Sequence, residues 1–365
     1  MHYALIRGKH KGANKVEKVK VGIIGSGFAA NLHVKAYQRC ANAEVIAAAA
    51  IDNLENFCKQ YKIPKAYSDY REMLEKEDIK MVSVCVPNYL HSEVVFYAAK
   101  AGKHIVCEKP LATTLEDCDK MIEICRNNKV KLMYAEDWIF APALIRAKNI
   151  YKEGAIGDIV YIKAKESHGG SHSLYAQKLK YCGGGAMIHL GIHPAGLVTW
   201  FKEKKVTEVL GKTSQGLNNN LIHAEFEGED WAAGILTFED NTFALIEGNY
   251  VTFGGMDNKI EIYGNKGNIK VELTHGSPIL VYSSVGYEYA IEKADTSKGW
   301  TFPAVDEESS LGYQNEISYF VDCVKFNKEV MEGARGEDGR IALQIVFGIY
   351  ESMKGGMSIK LNNDR

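Results

Sequence analysis

A doubly wound parallel α/β sheet, followed by an α+β unit with a large, mainly antiparallel sheet, is the fold class this sequence predicts. Three observations carry it. From Val19 to about Trp138, short apolar runs alternate with helical stretches, the pattern of a parallel sheet. Beyond Trp138 the period changes to short strands of alternating polarity, joined by turns such as "EDN" and "GNKGN", which reads as antiparallel meanders. The 365 residues also exceed the usual size of one core, so two domains are expected. The boundaries read as a basic N-terminal arm over 1–18, a first domain over 19–138 and a second over 139–365.

In the first domain "VKVGII" and "AEVIAAAAID" read as buried strands, with a helix between them. "NLENFCKQY" and "YREMLEKE" follow as helices, then "IKMVSVCVP" as a strand and "SEVVFYAAKAG" as a helix. "HIVCEKP" and "KLMYAED" are strands flanking the helix "TLEDCDKMIEICRNN". The second domain opens on the helix "ALIRAKNIYKEG" and the strand "DIVYIKAKES". Further strands are expected at "KVTEVLGKT", "IHAEFEG", "DWAAGILTF", "TFALIEGNYV", "NKIEIYG", "GNIKVEL" and "PILVYSS". Tyr313, Ile317, Phe320 and Val324 mark one stripe of a helix, and a last helix falls at "IALQIVFGIYESM".

An apolar fraction of 46% with 25% charged residues fits a soluble globular chain. A formal charge of −2 argues against a broad basic surface, so neither nucleic acid nor an anionic membrane is an expected partner. No apolar run is long enough to span a bilayer, and the first residues lack the apolar core of a secretion signal. Eight cysteines occur without a C-x-x-C pair, which fits a reduced, cytoplasmic protein.

Chemistry begins at Gly25-Ser26-Gly27-Phe28-Ala29-Ala30, a G-x-G-x-x-A stretch between a strand and a helix. Gly25 permits a tight turn, Gly27 lets a pyrophosphate approach the backbone, and Ala30 lets the helix pack close to its strand. The anion would meet free N–H groups at the helix N-terminus, beside Phe28 and Ala29. Asp52 ends the second strand where a ribose hydroxyl needs an acceptor, although a solvated turn residue would look the same. Asn53 follows rather than a basic residue, so NAD is favoured over NADP. Pro87, Asn88, His91, Glu108 and Lys109 all fall at or just after strand ends, where ligands of such sheets bind.

The stretch "CGGGAMIHLGIHPAG" places His189 and His193 four apart after three glycines. The glycines are expected to let the chain pass close to the cofactor or adopt positive φ. "ESHGGSHS" adds His168 and His172. Four imidazoles could hold zinc or another borderline divalent ion, but the favoured reading is that His168 and His172 bind sugar hydroxyls in a loop and that no metal is held. Trp138, Tyr175 and Tyr181 could stack on a sugar ring or pack internally. Glu136 and Asp137 are candidate hydroxyl acceptors.

"GIIGSGFAANLH", "VPNYLH", "EKPLATTLED", "EGAIGDI" and "GGGAMIHLGIH" occur in an order and spacing that resemble the Gfo/Idh/MocA family. These are sugar oxidoreductases that include glucose–fructose oxidoreductase and inositol dehydrogenases, and the likeness runs from Val19 onward. It implies an N-terminal Rossmann domain with a nicotinamide cofactor, and a C-terminal domain whose sheet often mediates homo-oligomers. The family's motif lysine falls on Lys109 and its late histidine on His193. The family usually has Asp four residues earlier, where this chain has His189.

Oxidation of a secondary alcohol needs a base for the hydroxyl proton and a group that stabilises the oxygen. His193 suits the base and Lys109 the oxygen. His189 is left open between substrate contact or proton relay, packing, and metal binding. The expected function is oxidation of a secondary ring hydroxyl of a sugar or glycoside. C3 of a glucoside is favoured, since the chain looks like glycoside 3-oxidising members. Two other readings are redox-neutral glycoside cleavage with recycled NAD and a non-catalytic sugar and dinucleotide sensor.

Overall fold

The computed structural model describes residues 17–171, 173–274, 279, 281–288 and 293–362. The expected arm lies almost wholly outside these residues, and His172 lies outside them too.

The first sheet is built from β1 (Val19–Ile24), β2 (Ala43–Ala49), β3 (Lys65–Tyr67), β4 (Met81–Val84), β5 (His104–Glu108) and β6 (Leu132–Ala135). All pairings are parallel, in the order β3-β2-β1-β4-β5-β6. The connecting helices are α1 (Phe28–Arg39), α2 (Leu54–Tyr61), α3 (Tyr70–Lys76), α4 (His91–Lys100) and α5 (Leu115–Asn127). Val21, Ile23, Val82, Val84, Ile105 and Val106 are fully buried, as a sheet covered on both faces requires. The order reverses between β1 and β4, so a crevice opens beyond their carboxyl ends.

The second sheet follows α6 (Pro142–Lys152) and begins with β7 (Ile159–Ser167). A short helix α7 (Leu179–Cys182) and α8 (Ile192–Lys202) precede β8 (Val206–Thr213). Next come β9 (Trp231–Phe238), β10 (Phe243–Asn249), β11 (Lys259–Gly264) and β12 (Asn268–Glu272). A two-stranded sheet of β13 (Val281–Ser283) and β14 (Gly299–Thr301) stands apart. The chain closes with α9 (Glu307–Ser310), α10 (Tyr313–Lys325), α11 (Gly336–Gly355) and β15 (Ile359–Lys360). The large sheet has the order β12-β11-β7-β10-β9-β8-β15.

Two expectations need correction. The sheet is not a pure meander, because β7 and β10 pair in parallel from Tyr161–Phe243 to Ser167–Asn249. A parallel pair needs a long crossover, here the chain through α8, β8 and β9. "IHAEFEG" is not a strand. The buried Asp230 carboxylate accepts the backbone N–H groups of Leu221, Ile222 and His223, so a side chain takes the donors a ladder would use.

One face of the large sheet packs on α8 and α11. On the other, Leu210, Ile235 and Phe243 are exposed, and Tyr161 stacks on Tyr263 at 5.7 Å. Near the C-terminus α10 returns to α1 and α11 to α5. Ile317 and Phe320 are buried on the expected stripe of α10, with Tyr313 and Val324 half-buried. All eight cysteines are free thiols, and no helix among the described residues is long and apolar enough to cross a membrane.

Candidate active site

A single cavity of about 740 Å³ runs from Gly25, Gly27 and Asp52 to Lys109, His189 and His193. Its first end is shaped by two glycines with different physical reasons. Gly25 has φ +116°, and a Cβ there would meet the Cys85 carbonyl oxygen at 2.2 Å; only glycine lets β1 turn this close to β4. At Gly27 a Cβ would meet nothing within 4 Å. That open space faces the N-terminus of α1, which has no side-chain cap and no acidic residue in its first turn. Unsatisfied N–H groups beside an open cradle fit a pyrophosphate. Phe28 and Ala29 line the same end. Asp52 is exposed at the rim, and Ser26 Oγ donates to its backbone carbonyl at 2.6 Å, tying the two loops together.

Pro87 and Asn88 line the middle of the cavity, and Asn88 Nδ2 reaches the Cys182 carbonyl at 3.2 Å. Two further residues expected at the cofactor, His91 and Glu108, line the cavity and are also held by neighbouring groups. His91 is fully buried, with ring nitrogens 2.9 Å from the Pro110 carbonyl and 3.0 Å from that of Val86. It braces the loops that carry Pro87 and Lys109. Glu108 is held by His33 Nε2 at 2.9 Å and by the Lys109 N–H at 3.1 Å. Burial is the largest single influence and opposes its charge, but the hydrogen bond and charge of His33 together with the charge and N–H of Lys109 outweigh it and keep the carboxyl below its ordinary range.

At the far end Lys109 Nζ, just past β5, donates to the His189 backbone carbonyl at 2.9 Å. His189 sits in a π-helical turn, Met187–Gly191, that runs straight into α8. The start of this turn is held by Glu229, which accepts the N–H groups of Gly185 at 3.0 Å and Met187 at 2.8 Å. This explains the glycines in part differently from expectation. Gly183 has φ +85°, as expected, but Gly185 makes room for the Glu229 backbone, which a Cβ would meet at 2.1 Å.

His193 is buried and clamped. Its ring stacks on Trp138 at 5.4 Å with an interplanar angle of 12°. Its Nδ1 lies 2.7 Å from Glu136 Oε1 and 3.4 Å from Asp137 Oδ1, while Nε2 lies 3.7 Å from Glu166 Oε2. Trp138 lines the cavity but is only 1% exposed, and one face of its ring supports His193. Burial, reinforced by Lys109, pushes the His193 ring well below its ordinary range. The same causes push His189 down to about 3, so its ring stays neutral and serves in hydrogen bonds. Its Nδ1 lies 2.7 Å from the Tyr250 hydroxyl.

His168 is buried, accepts the Gly170 N–H at 3.1 Å, and packs on Tyr250 at 5.2 Å. Among the described residues His168, His189 and His193 do not form a group able to hold a metal ion. Among the described residues the group able to hold a cation is Glu136, Asp137 and His193. Tyr175 and Tyr181 line the cavity with Tyr89, their rings meeting edge to face at 5.5 Å and tilted at 5.2 Å.

Sequence reasoning missed Glu166, Tyr250 and Glu229. A signal for Glu166 existed, because Ile162, Ala164 and Glu166 share the inner face of β7 and an acid on a buried face needs a purpose. Tyr250 and Glu229 flank strands and carry no local signature.

A dinucleotide cradle joined to a cavity that ends on a lysine and a buried histidine defines an NAD-binding oxidoreductase. The model of the oxidoreductase family with an NAD-binding Rossmann fold matches residues 19–136, and that of the GFO/IDH/MocA C-terminal domain matches residues 144–270. The chain belongs to the Gfo/Idh/MocA family. It is 25% identical over 346 residues to myo-inositol 2-dehydrogenase of Thermotoga maritima, covering 94% of this chain and 98% of that one. It is 26% identical over 351 residues to the uncharacterized oxidoreductase YrbE of Bacillus subtilis, covering 95% and 98%. In fold it is similar to GenD2 from gentamicin A biosynthesis, solved in complex with NAD, with a TM-score of 0.89 at 19% identity over 96% and 99% of the two chains.

Proposed function

We propose that this protein is an NAD-dependent dehydrogenase that oxidises a secondary ring hydroxyl of a sugar or glycoside, with C3 of a glucoside as the favoured position. The observation that carries this reading is the meeting of Lys109 and His193 in the cavity that begins at Gly25 and Gly27. Similarity to an inositol dehydrogenase supports a polyhydroxylated ring as substrate. Gly25, Gly27, Phe28 and Ala29 would hold the pyrophosphate, and Asp52 the ribose hydroxyls. The carboxylate of Asp52, with no basic neighbour at Asn53, supports NAD over NADP.

A nicotinamide held at this end of the cavity would supply the hydride acceptor. His193 Nε2 takes the hydroxyl proton as the carbinol carbon loses its hydride, so one proton and one hydride leave and a ketone remains. Lys109 Nζ hydrogen-bonds the reacting oxygen as negative charge develops there. Asp137 and Glu166 line the same end and accept the remaining ring hydroxyls; Tyr89, Tyr175 and Tyr181 offer an aromatic wall to the ring or aglycone. The open face of the large sheet, with Leu210, Ile235 and Phe243 exposed, suits a second copy of the chain.

A methyl glucoside deuterated at C3 tests the position. Deuterium recovered in the reduced nicotinamide supports C3; turnover that leaves the label in the sugar contradicts it. Methyl glucosides compared with inositols then separate glycoside from cyclitol specificity.

A further inference from the structure

Glu136 follows β6 and is completely buried, and unlike Asp137, Trp138 and Glu166 it does not line the cavity. Its Oε1 meets His193 Nδ1 at 2.7 Å. Its Oε2 has no hydrogen-bond partner among the described residues. This oxygen lies against Gly196 in the next turn of α8, where a Cβ would stand 3.4 Å away. With Trp138 stacked on one face of the imidazole, the ring is fixed in plane by the indole and in rotation by the carboxyl. Nδ1 is thereby turned inward, and Nε2 is left on the side of Glu166, which does line the cavity.

We propose that Glu136 is the positioning residue for proton transfer: it holds His193 through Nδ1, and the Glu136–His193 pair gains or loses one proton as a unit. The proposal rests on His193 being the base. Its logic is proton bookkeeping. Nε2 can accept a substrate proton only if Nδ1 keeps its own, and a Nδ1–H needs a carboxylate as acceptor. With one proton the pair is ready to oxidise an alcohol. With two it is ready to protonate the oxygen of a ketone as hydride arrives.

The surroundings favour such sharing. Burial first, then Asp137, pushes the Glu136 carboxyl well above its ordinary range, with Glu166 and Glu108 adding to this and Lys109 opposing it. Glu316, buried on α10, faces the same cluster and is itself pushed up by burial and by these carboxylates. Separate charges on Glu136 and His193 are thus disfavoured.

The test uses Glu136→Gln in the full chain. The glutamine amide can donate to Nδ1 and so leave Nε2 protonated, useless as a base. Alcohol oxidation should fall in kcat by on the order of 10²-fold or more, as a wrong-tautomer histidine does, while KM and NAD affinity change little. The wild type should show a rise of kcat with pH that is lost in Glu136→Gln, and Glu136→Asp should restore part of the rate. Independently of turnover, proton NMR of the wild type should show a far-downfield Nδ1–H resonance that disappears in both Glu136→Gln and His193→Ala. Wild-type kcat and pH profile in Glu136→Gln, or a resonance that survives the substitution, would overturn the proposal. If the wild type oxidises no polyol yet shows the resonance, the dehydrogenase reading fails while the pairing stands.

Discussion

Lys109 Nζ hydrogen-bonds the backbone carbonyl of His189 at 2.9 Å, so the lysine at the end of a strand in the first sheet is pinned to the helix that lies on the second. The contact sets the distance between the two halves of the site. Lys109→Met removes both this tie and the donor proposed for the reacting oxygen. The expected outcome is a loss of about 10²–10³-fold in kcat with NAD still bound, measured by steady-state kinetics and cofactor titration. Retained kcat would remove Lys109 from the chemistry.

Gly25 and Gly27 should separate fold from ligand binding. Gly25→Ala places a Cβ 2.2 Å from the Cys85 carbonyl at φ +116°, so it should cost about 1–3 kcal/mol of stability. Gly27→Ala meets nothing within 4 Å and should unfold as the wild type does, yet bind NAD more weakly. Thermal unfolding with and without NAD reads both effects. Equal stability of the two variants would contradict the backbone account.

Asp52 should set cofactor choice. Loss of its hydrogen bonds to the ribose in Asp52→Ala should weaken NAD by about tenfold or more, and adding Asn53→Arg should shift preference toward NADP. Unchanged discrimination in the double variant would return Asp52 to a solvated turn.

Glu229 should make stability depend on pH. It holds the turn before His189 through the N–H groups of Gly185 and Met187 and accepts the Tyr350 hydroxyl, and its burial pushes the carboxyl from 4.5 up to about 7. The folded chain then holds this proton more tightly than the unfolded one. Its contribution is fully present below the ordinary carboxyl value and is lost as pH rises toward 7, by up to about 3 kcal/mol. Urea unfolding at intervals across that window should show this slope in the wild type and not in Glu229→Gln. Parallel slopes would show that Glu229 does not titrate there.

The sequence made the Rossmann half legible because its signals are local: Gly25, Gly27 and the strand before them lie within one turn of chain. His193 was legible through its motif. Its partner's role was not, since Glu136 stands 57 residues away and only the packing of α8 against the loop after β6 joins them. A still longer separation, from Tyr161 to Phe243, hid the parallel pairing of β7 with β10. At "IHAEFEG" the polarity alternates as in a strand, but Asp230 claims the backbone donors, a competition that periodicity does not record. Trp138 was visible as an aromatic near the site; that it supports the imidazole depended on which face the chain buries.

The central claim is tested most directly by the near-ultraviolet band of reduced nicotinamide when methyl glucoside is added to the purified protein with excess NAD. A band that grows with turnover in the wild type and is abolished in His193→Ala is expected of an NAD-dependent dehydrogenase with His193 as its base. No band with glucosides, inositols or sugar acids, in protein shown to bind NAD, would contradict it and favour redox-neutral cleavage or a sensor.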